Sequence, residues 1–157
     1  MLEFEHSIRV NDPETPDTPC LSREQLWQGL VFRCQYPGHF NPALSCHIEE
    51  HSAAGFIRTL QFGASSLRDR VMLITQREIH TRPAEPNPAL YAESITRIEE
   101  PEPGHLFVRF SYRRDSGNSP GSIDVDEYLK AAYVQNDQAA IALLRQFIVE
   151  GWPESDT

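Results

Sequence analysis

The final third of the chain constrains its fold more than any other part. Residues 124–150 read as one long amphipathic helix, and they follow a block of strand-like segments running from about Ala43 to Arg114. Asp124 is the expected N-cap, with Glu127 three residues on in a capping-box arrangement and Asp126 adding negative charge to the first turn. Gly151 and Pro153 mark the far end, as a glycine just past a helix with a proline beyond it should. Val125, Tyr128, Leu129, Ala132, Tyr133, Asn136, Ala139, Ala140, Leu143, Leu144, Phe147 and Ile148 form one continuous helical face. A helix with such a face needs a surface to bury it against, and the preceding strands supply one.

Those strands follow a shorter opening. Leu2, Phe4, His6, Ile8 and Val10 alternate with Glu3, Glu5, Ser7 and Arg9, the pattern of a half-buried strand. Three prolines and several acids make 11–20 a loop. Ser22 then caps a helix, with Gln25 completing the box and Leu26, Trp27, Leu30, Val31 and Cys34 on the buried face. Tyr36-Pro37-Gly38 stops it, and residues 39–42 suit one further short turn.

Strand signals follow at 45–51, 56–62, 67–75, 77–82, 90–99 and 106–113. The links between most of them are short and rich in Gly, Ser or Pro, which favours antiparallel neighbours, because a parallel crossover needs a dozen or more residues. Residues 116–122 form a loop into the last helix. The order is strand, helix, six strands, long helix, which makes an α+β fold in one domain spanning 1–157. A seven-stranded antiparallel sheet of this kind curls, and the terminal helix is the natural cover for its concave face.

Several function classes are excluded by composition. The net charge is −9 and the basic residues are scattered, so a nucleic-acid partner is not expected. Aliphatic runs such as Val71 to Ile74 are far short of the roughly 20 residues a bilayer span requires. The N-terminus lacks a secretory pattern, and three cysteines (Cys20, Cys34 and Cys46) suit free thiols in a cytoplasmic protein.

Two motif-like features lose their force on inspection. Gly117-Asn118-Ser119-Pro120-Gly121 matches the G-x-S-x-G nucleophile elbow, but an elbow needs the residue after serine to donate a backbone N–H, and Pro120 has none. Cys46 and His47 are adjacent on a strand and point to opposite faces, so they cannot share a metal. His47, Glu49 and His51 share a face, but it alternates with Cys46 and Ile48 and reads as solvated. No catalytic residue, metal ligand or cofactor is assigned.

Trp27-Gln28-Gly29-Leu30, Pro37 with Phe40 and Pro42, Arg58-Thr59-Leu60-Gln61-Phe62-Gly63 and the terminal 141–151 stretch carry a resemblance. On these residues, over nearly its whole length, the chain resembles the helix-grip proteins of the SRPBCC superfamily, which includes START lipid-transfer domains and plant pathogenesis-related allergens. Within that superfamily it is similar to the small AtaL-like branch of uncharacterised bacterial and fungal proteins. The resemblance implies a cavity between sheet and long helix that holds an apolar or amphipathic small molecule. Catalysis is the minority case in the superfamily, and the branch offers no catalytic residues to carry over.

The residues themselves bear on such a cavity. His6, Arg58 and Asn136 interrupt otherwise apolar stripes, either as hydrogen-bonded core groups or as the few placed polar groups of a pocket. Ala132, Ala139 and Ala140 put small side chains toward the sheet, while Tyr128, Tyr133 and Phe147 hold the helix away at its ends; the alternative is a filled core. Strand parity places Phe4, His6, Phe56, Arg58, Leu60, Val108 and Phe110 on the inner sheet face, opposite Tyr128, Ala132, Asn136, Ala139 and Leu143. These twelve are the expected ligand-binding residues, with Glu93 or a ligand carboxylate as the partner of Arg58.

Three functions compete. The first is a binding or carrier protein for a small apolar or amphipathic ligand. The second is a cyclase, aromatase or dehydratase using cavity side chains as general acid or base. The third is an interaction protein that forms a homodimer through a sheet edge or helix. A buried ionisable pair facing the cavity separates the second from the first.

Overall fold

The computed structural model describes residues 1–15, 18–88, 90–116 and 124–153. The G-x-S-x-G match and most of the loop expected at 116–122 lie outside the described residues. The elements are β1 (Leu2–Arg9), α1 (Arg23–Gln35), a 3₁₀ turn (Pro37–His39), β2 (Ser45–Ser52), β3 (Gly55–Phe62), β4 (Ser65–Ile74), β5 (Glu78–Pro83), β6 (Ala92–Glu102), β7 (His105–Arg114) and α2 (Val125–Glu150). Every expected strand and both expected helices are present, and the short turn begins at Pro37 rather than His39.

All seven strands belong to one antiparallel sheet in the order β1-β7-β6-β5-β4-β3-β2. Each hairpin from β2 to β7 pairs sequential neighbours, and β1 closes on β7 across α1 and the next five strands. The open sheet curls around α2, the helix-grip arrangement. Register settles which residues face inward. Ile8, His6 and Phe4 stand opposite Val108, Phe110 and Tyr112 on one face, and Ile98, Thr96 and Ser94 stand opposite the same three from the other side. Glu3, Glu5, Glu93 and Arg113 therefore occupy the outer face.

The core lies between the sheet and the two helices. Phe56, Val71, Ile79, Ile98, Val108 and Phe110 from the sheet meet Leu26 and Leu30 of α1 and Ile141 and Leu144 of α2. Ser22 caps α1 as expected, its hydroxyl accepting from the Gln25 N–H at 3.0 Å while the Gln25 side chain accepts from the Ser22 N–H at 2.9 Å. Asp124 caps α2 by accepting from the Glu127 N–H at 3.2 Å, and Gly151 ends it at φ 118°.

The loop after β1 is tied down by polar contacts that its sequence does not advertise. Asn11 is buried, donating to the Leu21 carbonyl at 2.6 Å and accepting from the Leu21 N–H at 2.8 Å. Arg145 of α2 donates to the backbone carbonyls of Val10 and Pro19. The last turns of α2 thus hold both ends of this loop.

The face that α2 buries overlaps the expected one at Ala140 and Leu144 but is rotated from it, taking in Asp137 and Ile141. Asp137, Ala140, Ile141 and Leu144 are its buried residues. Ala132, Asn136, Ala139 and Leu143 stand about a third of a turn to one side of that stripe, and Tyr128 roughly half a turn away at about 100° per residue. Tyr128 is accordingly 72% exposed. The buried stripe is centred on Asp137, an aspartate that apolar periodicity does not place on an inner face.

The two helices approach closely because Gly29 lacks a side chain. A Cβ there would sit 2.9, 3.1 and 3.3 Å from three side-chain carbons of Leu144, which is almost fully buried. Gly29→Val should therefore lower the unfolding free energy by roughly 1–3 kcal/mol in urea denaturation, the usual range for overpacking. An unchanged midpoint would mean that α1 can slide away from α2 at no cost.

Candidate functional site

A cavity of about 680 Å³ lies between the sheet and α2. The sheet contributes Arg58, Leu60, Ile79, Thr81, Ser94, Thr96, Phe110 and Tyr112; α2 contributes Tyr133, Asn136, Asp137, Ala139, Ala140 and Leu143. Leu30, Arg33 and Cys34 of α1 and the segment from Pro37 to Leu44 complete the wall. Its size falls within the range of small-molecule sites, and its lining mixes apolar side chains with a few polar groups, as such sites do.

Six of the twelve expected residues line this space: Arg58, Leu60, Phe110, Asn136, Ala139 and Leu143. The structure does not bring the other six to its wall. Phe56 and Val108 pack in the core, Tyr128 is exposed, and Ala132 lies outside the lining. Phe4 borders a separate recess on the sheet with Glu3, Glu5 and Arg113. His6 stands behind the wall, bonded to a residue that forms it.

That residue is Asp137, with only 1% of its side chain exposed. One carboxylate oxygen accepts from the Tyr112 hydroxyl at 2.5 Å and lies 2.7 Å from His6 Nε2, while the other accepts from an Arg33 terminal N–H at 3.0 Å. These donors come from β7, β1 and α1. A buried carboxylate is tolerable only when compensated in this way. Burial, and then the Asp137 carboxylate beside it, push the Tyr112 phenol well above the ordinary phenolic range. Aromatic rings frame the cluster: Tyr133 stacks on Tyr112 with centroids 3.9 Å apart, His6 on Phe110 at 5.3 Å, and Arg33 lies over the Phe110 ring.

A second polar group sits on β3 and β4. Arg58 faces the cavity, but its partner is Asp69, not Glu93. The two are direct cross-strand neighbours, with Arg58 Nε donating to Asp69 at 2.8 Å and a terminal N–H donating to the other carboxylate oxygen at 3.3 Å. The remaining terminal nitrogen donates to the Cys34 carbonyl at 2.9 Å. Glu93, on the outer face, instead accepts from the Tyr91 hydroxyl and pairs with Arg113. Burial pushes the Cys34 thiol above its ordinary value.

The sequence reading missed Asp137, Arg33, Tyr112 and Asp69. Tyr112 carried a usable signal, since it continues the Val108, Phe110 parity by one step. Asp69 has the same standing on β4, two residues before Val71. Arg33 carried none, because a single basic residue near a helix end is ordinarily solvated. The expected alignment of His47, Glu49 and His51 is broken by an irregularity between Glu49 and Ser52, where Glu50 takes φ 51°. Among the described residues, no group of three His, Cys, Asp or Glu side chains could hold a metal.

A sheet curled around a long C-terminal helix, with a lined space between them, defines the helix-grip class of the SRPBCC superfamily. Within it the chain belongs to the AtaL family, acetylaranotin biosynthesis cluster protein L, whose family model matches residues 5–151. No curated protein matches the sequence. Among solved structures, the di-domain ARO/CYC StfQ from the steffimycin biosynthetic pathway is similar at TM-score 0.70 and 13% identity, over 94% of this chain and 51% of that one. The chain thus spans about half the length of that protein. The Zhui aromatase/cyclase from Streptomyces sp. R1128 matches at TM-score 0.61 and 15% identity, over 96% of this chain and 98% of that one. Ara h 8.0201 matches at 0.59 and 14%, covering 96% and 99%. At such identities the likeness is one of fold. Among the described residues, no helix is long and apolar enough to cross a membrane.

Two measurements test this arrangement. Asp137→Ala leaves Arg33, His6 and Tyr112 without their common acceptor and should cost about 3 kcal/mol or more in chemical denaturation, against roughly 1–2 for Tyr112→Phe. Equal, small effects would make the carboxylate incidental. Iodoacetamide should modify the exposed Cys20 well before Cys34, which is half-buried and whose thiol is raised in pKa. Mass spectrometry that found Cys34 labelled as fast would contradict the burial argument.

Proposed function

We propose that this protein binds a small apolar or amphipathic molecule in the space between the sheet and α2, as a binding or carrier protein. The observation that carries the reading is the cavity itself: about 680 Å³, walled by Leu60, Ile79, Phe110 and Leu143 but furnished with Arg58, Tyr112 and the Thr81–Ser94 hydroxyl pair. Apolar walls supply affinity, and a few fixed polar groups supply orientation. The fold supports a ligand-binding role, and the family's name associates its members with a biosynthetic gene cluster.

One observation favours a second reading, an enzyme of cyclase, aromatase or dehydratase type. Asp137 and Tyr112 both line the cavity and share a 2.5 Å hydrogen bond, so an ionisable pair does face the ligand space. Such a pair can move a proton to or from a ligand oxygen. His6, bonded to the same carboxylate oxygen, would hold that pair in place.

The test uses protein purified from its own host under native mass spectrometry. A carrier should yield the same bound mass from the parent protein and from Tyr112→Phe. An enzyme should yield species from the two that differ by one water or, where they are isomers of equal mass, in the chromatographic retention and fragmentation of the released molecule. In a second measurement, N-phenyl-1-naphthylamine should fluoresce on binding the parent protein. Ala139→Trp should abolish that signal with the melting temperature nearly unchanged, because Ala139 lines the cavity from an exposed position on α2. Retained probe binding in Ala139→Trp would place the probe elsewhere and remove the main support for a cavity ligand.

A further inference from the structure

The charges around the cavity are matched before any ligand arrives. Two guanidiniums line it, those of Arg33 and Arg58. Each is held by a buried carboxylate, Asp137 at 3.0 Å and Asp69 at 2.8 Å. An anionic ligand approaching Arg33 meets the Asp137 carboxylate, and one approaching Arg58 must displace Asp69 from a two-bond contact. An anion would enter a space in which, among the described residues, both lining guanidiniums are already paired, which is the costly case for burial of a charge.

What remains available is neutral hydrogen bonding of opposite sense at two places. Arg58 has five N–H groups, of which three are engaged by Asp69 and Cys34; two are left to donate to a ligand carbonyl. Tyr112 is the reverse. Its proton is committed to Asp137, so the phenolic oxygen meets the cavity as an acceptor. A ligand hydroxyl satisfies it; a second carbonyl does not.

We infer that the cavity selects electroneutral compounds carrying a carbonyl acceptor and a separate hydroxyl donor, and that Asp69 determines this selectivity by neutralising Arg58. The inference rests on the ligand-binding reading above and narrows its ligand. It sets aside a ligand carboxylate, one of the two partners expected for Arg58, in favour of Asp69. Asp69 touches no ligand; it acts through the charge of Arg58.

The test is a matched series in isothermal titration calorimetry: 6-hydroxy-2-acetylnaphthalene, 6-hydroxy-2-naphthoate and 6-methoxy-2-acetylnaphthalene. The parent protein should bind the hydroxyketone at least ~10-fold tighter than the carboxylate, a difference of ~1.4 kcal/mol, and several-fold tighter than the methoxy ketone. Asp69→Asn keeps the shape of the side chain and frees the charge, so it should tighten the carboxylate roughly 10-fold while changing the hydroxyketone by about two-fold or less. A parent protein that binds the carboxylate as well as the hydroxyketone overturns the inference without any variant. So does an Asp69→Asn protein that still binds the hydroxyketone but gains nothing for the carboxylate. Equal binding of the methoxy ketone removes the hydroxyl requirement. If the parent protein binds none of the three, or if Ala139→Trp retains their binding, the cavity reading itself falls with this one.

Discussion

Four elements of this protein meet at one carboxylate. Asp137 projects from the middle of α2 and receives Tyr112 from β7 and Arg33 from α1, with His6 of β1 at hydrogen-bonding distance. The apolar contacts around it, Leu144 against Gly29 and Ile141 within the core, set how close the helices come. They are non-directional, and a helix with an apolar flank could rotate by a fraction of a turn at little cost in buried area. The Asp137 contacts are directional and stand in a low-dielectric setting, where an unmet partner is costly. They fix the rotation of α2 about its own axis. Everything that α2 contributes to the cavity wall follows from that rotation.

The same constraint explains why the space beside the cluster is open. Once Asp137, Ala140, Ile141 and Leu144 face the core, the neighbouring flank of the helix is Asn136, Ala139 and Leu143, a small-to-medium set that does not reach the sheet. Opposite it, β5 and β6 present Thr81, Ser94 and Thr96, short side chains as well. Large residues are concentrated elsewhere. Phe32, Phe40, Phe147 and Trp152 form an aromatic group around the ends of α1 and α2, and Tyr112 and Tyr133 stack beyond the cluster. The cavity is what remains between two anchored ends.

Fold and site differed in how far they could be read from residues alone. The sheet was legible because alternation such as Leu2, Phe4, His6, Ile8 survives any detail of pairing, and because short links leave antiparallel hairpins as the simple solution. Helix ends were legible for the same local reason, since Ser22 with Gln25 and Asp124 with Gly151 act within one turn. The candidate site was legible only in part. Parity found Arg58, Leu60 and Phe110, whose direction is set by their own strands. It could not find Arg33 or the role of Asp137, because their burial depends on partners up to 131 positions away in sequence. Charged residues were read as solvent-facing by default, and that default fails where several charges compensate one another. Arg58 shows the intermediate case. Its face was read correctly and its partner wrongly, because the pairing of β3 with β4 places Asp69 directly across.

The two ion pairs on the cavity wall do different work because of where their partners sit. Arg58 and Asp69 belong to adjacent strands of one sheet, already held in register by backbone hydrogen bonds, so their pairing changes the field inside the cavity without deciding the fold. Arg33 and Asp137 belong to different helices, and their pairing helps decide how those helices dock. Tyr112 stands on the boundary between the two roles, since it ties α2 to the sheet through its proton and faces the cavity through its oxygen. A ligand hydroxyl that donates to that oxygen strengthens the bond Tyr112 makes to Asp137, because hydrogen bonds in a chain polarise one another. In the proposed reading, occupancy of the cavity and docking of α2 would thereby be linked through a single phenol.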